Sequence, residues 1–185
     1  MAFKSGTRLR FPTLLFWMAM LFYGRASFAA MLNDGDLKPL ADWNEQVGQE
    51  ISIMTTELNR LIDDSANSKD GPTAAEINER MCLGYLSGQL TMLREPVVRA
   101  IDLSLLSKKM TSPKDEDELI GAAATQIARF TKTEADLTFT VGESLFVCRS
   151  VNGQSHYRAA LQLLGSLTKA GAPLGAAICY HGYKC

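Results

Sequence analysis

The C-terminal tail carries the residue types and spacing best suited to chemistry. Cys179, His181 and Cys185 form the pattern C-x-H-x3-C, with Tyr180 and Tyr183 among them. Thiolate and imidazole groups are good ligands for zinc and copper, so a metal- or redox-active tail is one hypothesis. A structural zinc site needs a fourth ligand, however, and exported cysteines are usually oxidised. A disulfide bond is therefore the favoured interpretation of these cysteines.

The four cysteines of the chain, Cys82, Cys148, Cys179 and Cys185, are all disulfide candidates. An even number of cysteines in an exported protein indicates two disulfide bonds, and four cysteines allow three pairings. A bond between Cys179 and Cys185 would leave Cys82 to pair with Cys148, and this arrangement is slightly favoured. The alternative joins Cys82 and Cys148 to the tail and fixes the C-terminus to the core.

The N-terminus predicts export through the secretory pathway. Three basic residues precede an apolar run from Phe11 to Tyr23, and Ser27 and Ala29 are small residues at the −3 and −1 positions of a cleavage site. This is the three-part pattern of a signal peptide. We therefore predict a signal peptide over residues 1–29 and one helical domain over residues 30–185, in the periplasm or outside the cell. The alternative is an uncleaved membrane anchor.

The charge balance limits the classes of partner. The chain has 19 basic and 20 acidic side chains. Cleavage would remove four basic residues and no acidic ones, leaving 15 basic and 20 acidic side chains and a net charge of −5. A mildly acidic chain without a long basic run argues against nucleic acid as the partner. We expect the mature chain to be soluble and of one domain.

Apolar residues recur at helical spacing, which predicts an all-α bundle of four or five helices joined by disulfide bonds. We expect residues 30–37 to be a loose lead-in and Pro39 to stand in the first turn of the first helix. The buried stripe of this helix is predicted to be Leu40, Trp43, Val47, Ile51, Met54, Leu58 and Leu61. Its 4-3-4-3 spacing from Val47 onwards also fits a coiled-coil seam to a partner.

The segment 73–93 has the clearest helix start in the chain. Thr73 and Glu76 form a capping box, in which each side chain binds the other residue's backbone N–H. Gly84 and Gly88 are expected to let another backbone approach closely. Pro96 predicts a break or kink. The predicted face of this helix is Ile77, Met81, Gly84, Tyr85, Gly88 and Met92.

Two further helical pieces follow Pro96. The first runs from Val97 to Lys109, with Val98, Ile101 and Leu105 facing inwards. The second starts at Ser112-Pro113, and the acids 115–118 favour its N-terminus through the helix dipole rather than a metal. Its buried stripe is predicted to be Leu119, Ile120, Ala123, Ile127 and Phe130.

Residues 133–151 fit two kinds of secondary structure. The alternation of Leu137, Phe139 and Val141 is typical of a strand. Helical spacing instead places Leu137, Val141, Leu145 and Cys148 on one face. Because no convincing partner strand occurs elsewhere, we predict a helix.

The last helix is expected after a turn at Asn152-Gly153, with Ser155 as its cap and Gly171 as its end. The residues after Gly171 are expected to form at most a turn or two of helix. His156, near the predicted cap, is expected to face solvent. The predicted buried stripe is Tyr157, Ala160, Leu161, Leu164 and Leu167.

No catalytic motif, phosphate loop, dinucleotide fingerprint or haem attachment motif is present in the sequence. The sequence therefore favours a non-enzymatic protein without a cofactor, which binds another protein in the cell envelope or exterior. An inhibitor, immunity protein or assembly factor would act in this way. Residues 82–88, CLGYLSG, resemble the cysteine–glycine–tyrosine helix of some small exported helical immunity proteins, and that resemblance implies neutralisation of a toxin by binding.

Overall fold

Four long helices make up nearly all of residues 32–180 and 182–183, which are the residues that the computed structural model describes. They are α1 (Asp34–Ala66), α2 (Ala74–Ser107), α3 (Pro113–Glu143) and α4 (Val151–Tyr180), and a 3₁₀ turn (Ser144–Phe146) follows α3. No strand occurs in this part of the chain. The predicted all-α class is confirmed, whereas the predicted signal peptide and its cleavage site lie outside the described residues.

The helices run alternately up and down, and each packs against the next, with α4 closing the bundle on α1. Contacts between neighbours show the antiparallel order. Trp43 near the start of α1 donates a hydrogen bond from Nε1 to the carbonyl oxygen of Leu163 at 2.8 Å, in the middle of α4. Arg94 in α2 donates to Asn44 in α1 at 2.7 Å. Short connections between sequential helices are typical of such bundles.

Helix α1 confirms the predicted buried stripe but begins earlier than expected. Leu40, Trp43, Val47, Met54 and Leu61 are buried, and the other two stripe residues pack partly buried against the core. The helix starts at Asp34 because Asn33 and Asp36 form a capping box that the prediction missed. The lead-in was therefore predicted too long, and Pro39 lies in the second turn.

Helix α2 confirms the capping box of Thr73 and Glu76 but buries a different face from the predicted one. Ile77, Met81 and Met92 are 43%, 55% and 60% exposed. The core side of this part of α2 is instead Cys82, Leu83, Leu86, Leu90, Leu93 and Val97. The predicted close packing at the glycines is also wrong, since a methyl group at Gly88 would meet nothing within 4 Å.

Prolines do not interrupt the helices where the sequence predicted. Helix α2 continues through Pro96 and α4 continues through Pro173. A proline leaves the carbonyl four residues earlier without its helical partner. Those carbonyls belong to Met92 and Lys169, which are both exposed residues where water can hydrogen-bond to them. The predicted break after Glu95 is therefore wrong.

The second half of α2 also buries residues other than the predicted ones. Its buried residues after the proline are Val97, Ala100, Ile101, Ser104 and Ser107, because the helix keeps its phase through Pro96. Val98 is only partly buried and Leu105 is 41% exposed. The prediction was correct for Ile101 alone.

Helix α3 starts at Pro113 with Ser112 as its cap residue, as predicted, although the Ser112 side chain makes no capping hydrogen bond. Ile120, Ala123 and Phe130 are buried, as expected for the inward stripe. The ambiguous segment is helical, so the strand alternative is excluded. Leu145 is nevertheless 52% exposed, because the chain tightens into a 3₁₀ turn at Ser144 and Ser144 takes the inward position.

Helix α4 is longer than predicted at both ends. Ser150 rather than Ser155 caps it, through a hydrogen bond from the N–H of Gly153 to Ser150 Oγ at 2.9 Å. The helix passes through Gly171, because this glycine is buried against the ring of Phe130, whose Cζ atom would lie 3.1 Å from an added Cβ. Ala160, Leu164 and Leu167 are buried, as predicted.

No helix among the described residues combines the length and the apolar character needed to cross a membrane.

Candidate interaction surface

A disulfide bond joins α2 to the segment between α3 and α4. Cys82 and Cys148 are bonded, with their Cα atoms 5.0 Å apart and a separation of 66 positions in sequence. Both cysteines are fully buried. The favoured pairing of these two residues is confirmed. A methyl group at Gly153 would lie 3.2 Å from Cys82 Sγ, so a glycine here allows the first turn of α4 to pack against the bond.

The bond anchors an exposed apolar segment, residues 144–151, which we call the anchored loop. Phe146 is 71% exposed and Val151 is 91% exposed, whereas Cys148 between them is fully buried. Large apolar side chains on a surface are informative when several lie together. Here the buried cysteine fixes the backbone, and Leu145, Phe146 and Val151 project into solvent.

A second exposed aromatic residue, Phe139, lies near the end of α3. It precedes Phe146 by seven residues, and α3 gives way to the 3₁₀ turn between them. Phe139 is also 71% exposed. The guanidinium carbon of Arg149 lies 4.2 Å from the centre of the Phe146 ring, which is a cation–π contact. The surface thus combines two aromatic rings with a cation.

Hydrogen bonds hold both sides of the anchored loop. Tyr85 in α2 donates to the carbonyl oxygen of Thr140 at 3.3 Å, just before the loop. Just after it, Asn152 donates to Glu79 at 2.8 Å. Together with the disulfide bond, these contacts position the exposed side chains on a defined framework rather than on a free loop.

A second group of polar residues lies between α1 and α4. His156 is only 8% exposed, which contradicts the prediction that it faces solvent. Its Nδ1 atom lies 2.6 Å from Glu50 Oε1, and its Nε2 atom lies 3.3 Å from Glu57 Oε2. Glu50 and Glu57 are seven residues apart, so the spacing of α1 places both carboxylates on the side that faces α4.

The arrangement around His156 suits a structural role rather than proton transfer. Both ring nitrogens already contact a carboxylate oxygen, so neither is directed towards a substrate. Asn152 contributes most to lowering the pKa of Glu57, and His156 and Arg60 lower it further. The carboxylate of Glu57 is therefore ionised down to lower pH than an ordinary glutamate. We interpret the cluster as a polar bridge between two helices.

The C-terminal tail packs against the start of α3. Tyr183 donates a hydrogen bond to Asp117 Oδ1 at 2.7 Å, and its ring contacts Gly121. Burial, followed by Asp117, raises the pKa of Tyr183 to about 12. Cys179 is disulfide-bonded. His181 and Cys185 lie outside the described residues, so the rest of the predicted C-x-H-x3-C site cannot be placed.

No group of three His, Cys, Asp or Glu side chains within residues 32–180 and 182–183 is arranged to hold a metal ion. In the acidic run, Lys114 forms an ion pair with Glu118 at 3.8 Å, and Asp117 accepts from Tyr183. The hypothesis of a metal- or redox-active tail remains a prediction, and the disulfide bond of Cys179 removes one thiolate from its ligand set.

The sequence contained a signal for the exposed aromatic pair that the interpretation did not use. Once residues 133–148 are taken as a helix with Leu137 and Val141 inwards, Phe139 must face outwards. The cysteines were identified, but the exposed rings of Phe139 and Phe146 were missed.

Comparison with known proteins found no matching family model, no similar curated protein and no similar solved structure. The resemblance of residues 82–88 to immunity proteins therefore remains a hypothesis from sequence.

Proposed function

We propose that the protein is an exported, non-enzymatic binding protein that presents the anchored loop and Phe139 to a protein partner. The observation that carries this proposal is Phe146, an aromatic ring that is 71% exposed, two residues from a fully buried disulfide cysteine. Within the monomer, the contact described for this ring is the one with Arg149, which is worth only about 0.5–1 kcal/mol at an exposed site. At an interface the ring would contribute more, because aromatic residues and arginine dominate the binding energy of protein complexes.

The chemistry of the surface suggests the chemistry of the partner. Phe139 and Phe146 require an apolar recess, whereas Arg149 beside Phe146 favours a carboxylate at its rim. A partner with an apolar pocket bordered by acidic side chains would match both. Preorganisation by the disulfide bond would lower the entropy cost of binding, as it does in rigid inhibitors.

Export is supported by the buried bond between Cys82 and Cys148. Intramolecular disulfide bonds persist in oxidising compartments and are rare in the cytosol. The predicted signal peptide over residues 1–29 agrees with this location. An inhibitor, immunity protein or assembly factor of the envelope or exterior would use such a surface.

The experiment is site-specific photocrosslinking in cells that produce the full chain. A photoreactive phenylalanine analogue replaces Phe146 in one sample and Met92 in the other. Met92 is a matched control, because it is also apolar and 60% exposed but lies on α2. We expect position 146 to give one discrete adduct with a second protein, and position 92 to give none.

The partner identified in the adduct is then purified, and its affinity is measured for the unmodified protein and for Phe146→Ser. We expect at least a tenfold loss of affinity, as for the removal of an interface hot spot. No adduct at position 146, or equal affinity of the two proteins, would overturn the proposal.

A further inference from the structure

The seam between α3 and α4 is open. These two helices pack against each other less extensively than either packs against its other neighbour. Pockets for small ligands measure about 300–1,000 Å³. The groove in this seam measures about 520 Å³. Its walls include Ala124, Ala128 and Ala135 of α3 and Gly175 of α4, which are all small residues.

The groove is apolar along its length and polar at one end. Ile127 and Ile178 form its apolar lining, and Lys132 and Thr131 lie towards the end marked by Ala135. From Ala124 to Ala135 the groove extends roughly 16 Å along α3, at 1.5 Å per residue. This length and polarity suit a single extended acyl chain.

The opposite end of the groove lies near the C-terminal tail. Tyr183 packs on Gly121, about one turn before Ala124, and is fixed there by its hydrogen bond to Asp117. An acyl chain that entered the groove at this end would contact the side chain of Tyr183. A charged headgroup is therefore better placed at the Lys132 end, which faces solvent.

Lys132 provides the charge complementarity for an acidic headgroup. It makes no ion pair with any side chain in the described part of the protein, although Lys38, Lys108 and Lys114 each have a carboxylate partner. The Thr131 hydroxyl beside it already donates to the carbonyl oxygen of Ile127 at 2.9 Å. Lys132 is therefore the group at the rim that would interact with a carboxylate.

We propose that this groove binds a free fatty acid, with its acyl chain between α3 and α4 and its carboxylate at Lys132. The site is separate from the anchored loop, because Gly175 and Ile178 lie near the opposite end of α4 from Val151. The ligand site and the protein-binding surface can therefore be tested independently.

The test is binding of a fluorescent fatty acid, dansyl-undecanoic acid, to the purified, disulfide-bonded protein, with lauric acid as competitor. We expect a rise in probe fluorescence that lauric acid reverses. Gly175→Leu should weaken binding at least tenfold, because the added side chain fills the groove. Ala176→Leu is the matched control, since Ala176 is the exposed next residue and does not line the groove.

The headgroup is tested with Lys132→Gln and with dodecanol as a second competitor. Lys132→Gln should weaken the binding of lauric acid about two- to fivefold, which is the effect of losing an exposed ion pair. It should leave the binding of dodecanol unchanged. The control is Lys109→Gln, because Lys109 is an exposed residue outside the groove. This variant should change neither the affinity for lauric acid nor the affinity for dodecanol. Urea unfolding checks that each variant is folded.

Absence of probe binding to the folded protein would overturn the proposal. So would equal binding by Gly175→Leu and the unmodified protein. Displacement of the probe by lysophosphatidylcholine below its micellar concentration, but not by lauric acid, would replace the fatty acid with a phospholipid and would also contradict the proposal.

Discussion

His156 Nδ1 and Glu50 Oε1 lie 2.6 Å apart, across the interface between the first and last helices of the bundle. The residues are 106 positions apart in the sequence. Glu57 contacts the other ring nitrogen, so one imidazole joins two carboxylates of α1 to α4. This bridge couples α1 to α4 at a largely buried position.

Removal of the imidazole should destabilise the bundle. In His156→Leu the two carboxylates lose their shared donor while remaining largely buried, with side-chain exposures of 17% and 23%. We expect the free energy of unfolding to fall by about 1–3 kcal/mol, the cost of leaving buried polar groups unpaired. Urea denaturation measures this change. Asp42→Asn, which breaks an exposed ion pair with Lys38, should change stability by less than about 1 kcal/mol. An equal effect of the two variants would refute the structural role of the bridge.

Glu57 should make the stability of the fold depend on pH in the acidic range. Its pKa is lowered from 4.5, first by Asn152 and then by His156 and Arg60. The folded state therefore binds its proton less readily than the unfolded state does. The resulting stabilisation is fully present above the unfolded value of 4.5 and is lost as pH falls through the lower pKa of the folded state.

The measurement is the free energy of unfolding between about pH 6 and pH 3 for the unmodified protein and for Glu57→Gln. The variant should lose less stability over this range, because its amide does not titrate. Parallel curves for the two proteins would contradict the prediction. Glu95→Gln, which changes an exposed ion pair with Arg99, serves as the control.

Loss of the bond between Cys82 and Cys148 should be costly. It closes a loop with a sequence separation of 66 residues. The chain-entropy relation assigns about 4 kcal/mol to such a crosslink. We expect the paired substitution of both cysteines by alanine to lower the free energy of unfolding by this order, as measured in urea. A loss below about 1 kcal/mol would show that the crosslink does not constrain the unfolded chain as this relation requires.

Tyr183 should contribute stability that disappears in strong base. Its pKa is raised from 10.0 to about 12, first by burial and then by Asp117. The folded state holds the phenolic proton more tightly, so this contribution is present below pH 10 and is lost as pH rises towards 12. Tyr183→Phe should cost about 0.5–1.5 kcal/mol near neutral pH, the value of one hydrogen bond.

Urea denaturation measures this cost, and an absorbance titration of tyrosinate should lose a component at about pH 12 in the variant. Tyr180→Phe is the control, because the Tyr180 side chain is 67% exposed. If both variants show the same stability and the same titration, Tyr183 does not fix the tail to α3.

Local patterns in the sequence were sufficient for the helices and for part of the core. The stripe from Leu40 to Leu61 and the capping box at Thr73 involve residues three or four positions apart, and the same spacing rules govern them in any helix. The cysteines of the candidate region were also predicted, since their number in an exported chain indicates disulfide bonds. The prediction ended a helix too early where the helix contains a glycine or a proline. Gly171 and Pro96 normally weaken a helix, yet packing against Phe130 and exposure at Met92 offset those effects.

The tertiary structure alone decided which face of α2 is buried and which distant residues meet. Helix α2 is apolar around much of its surface, so periodicity could not distinguish the exposed Met81 from the buried Leu86. The environment of His156 depends on carboxylates about 100 positions away, and no local pattern in α4 records them. The exposure of Phe146 likewise depends on Cys148 being drawn inwards to Cys82. The sequence by itself determined a helical, disulfide-bonded chain, because those properties follow from local spacing and composition. The packing of the helices in the bundle determined which side chains are exposed, because burial depends on the neighbouring helices.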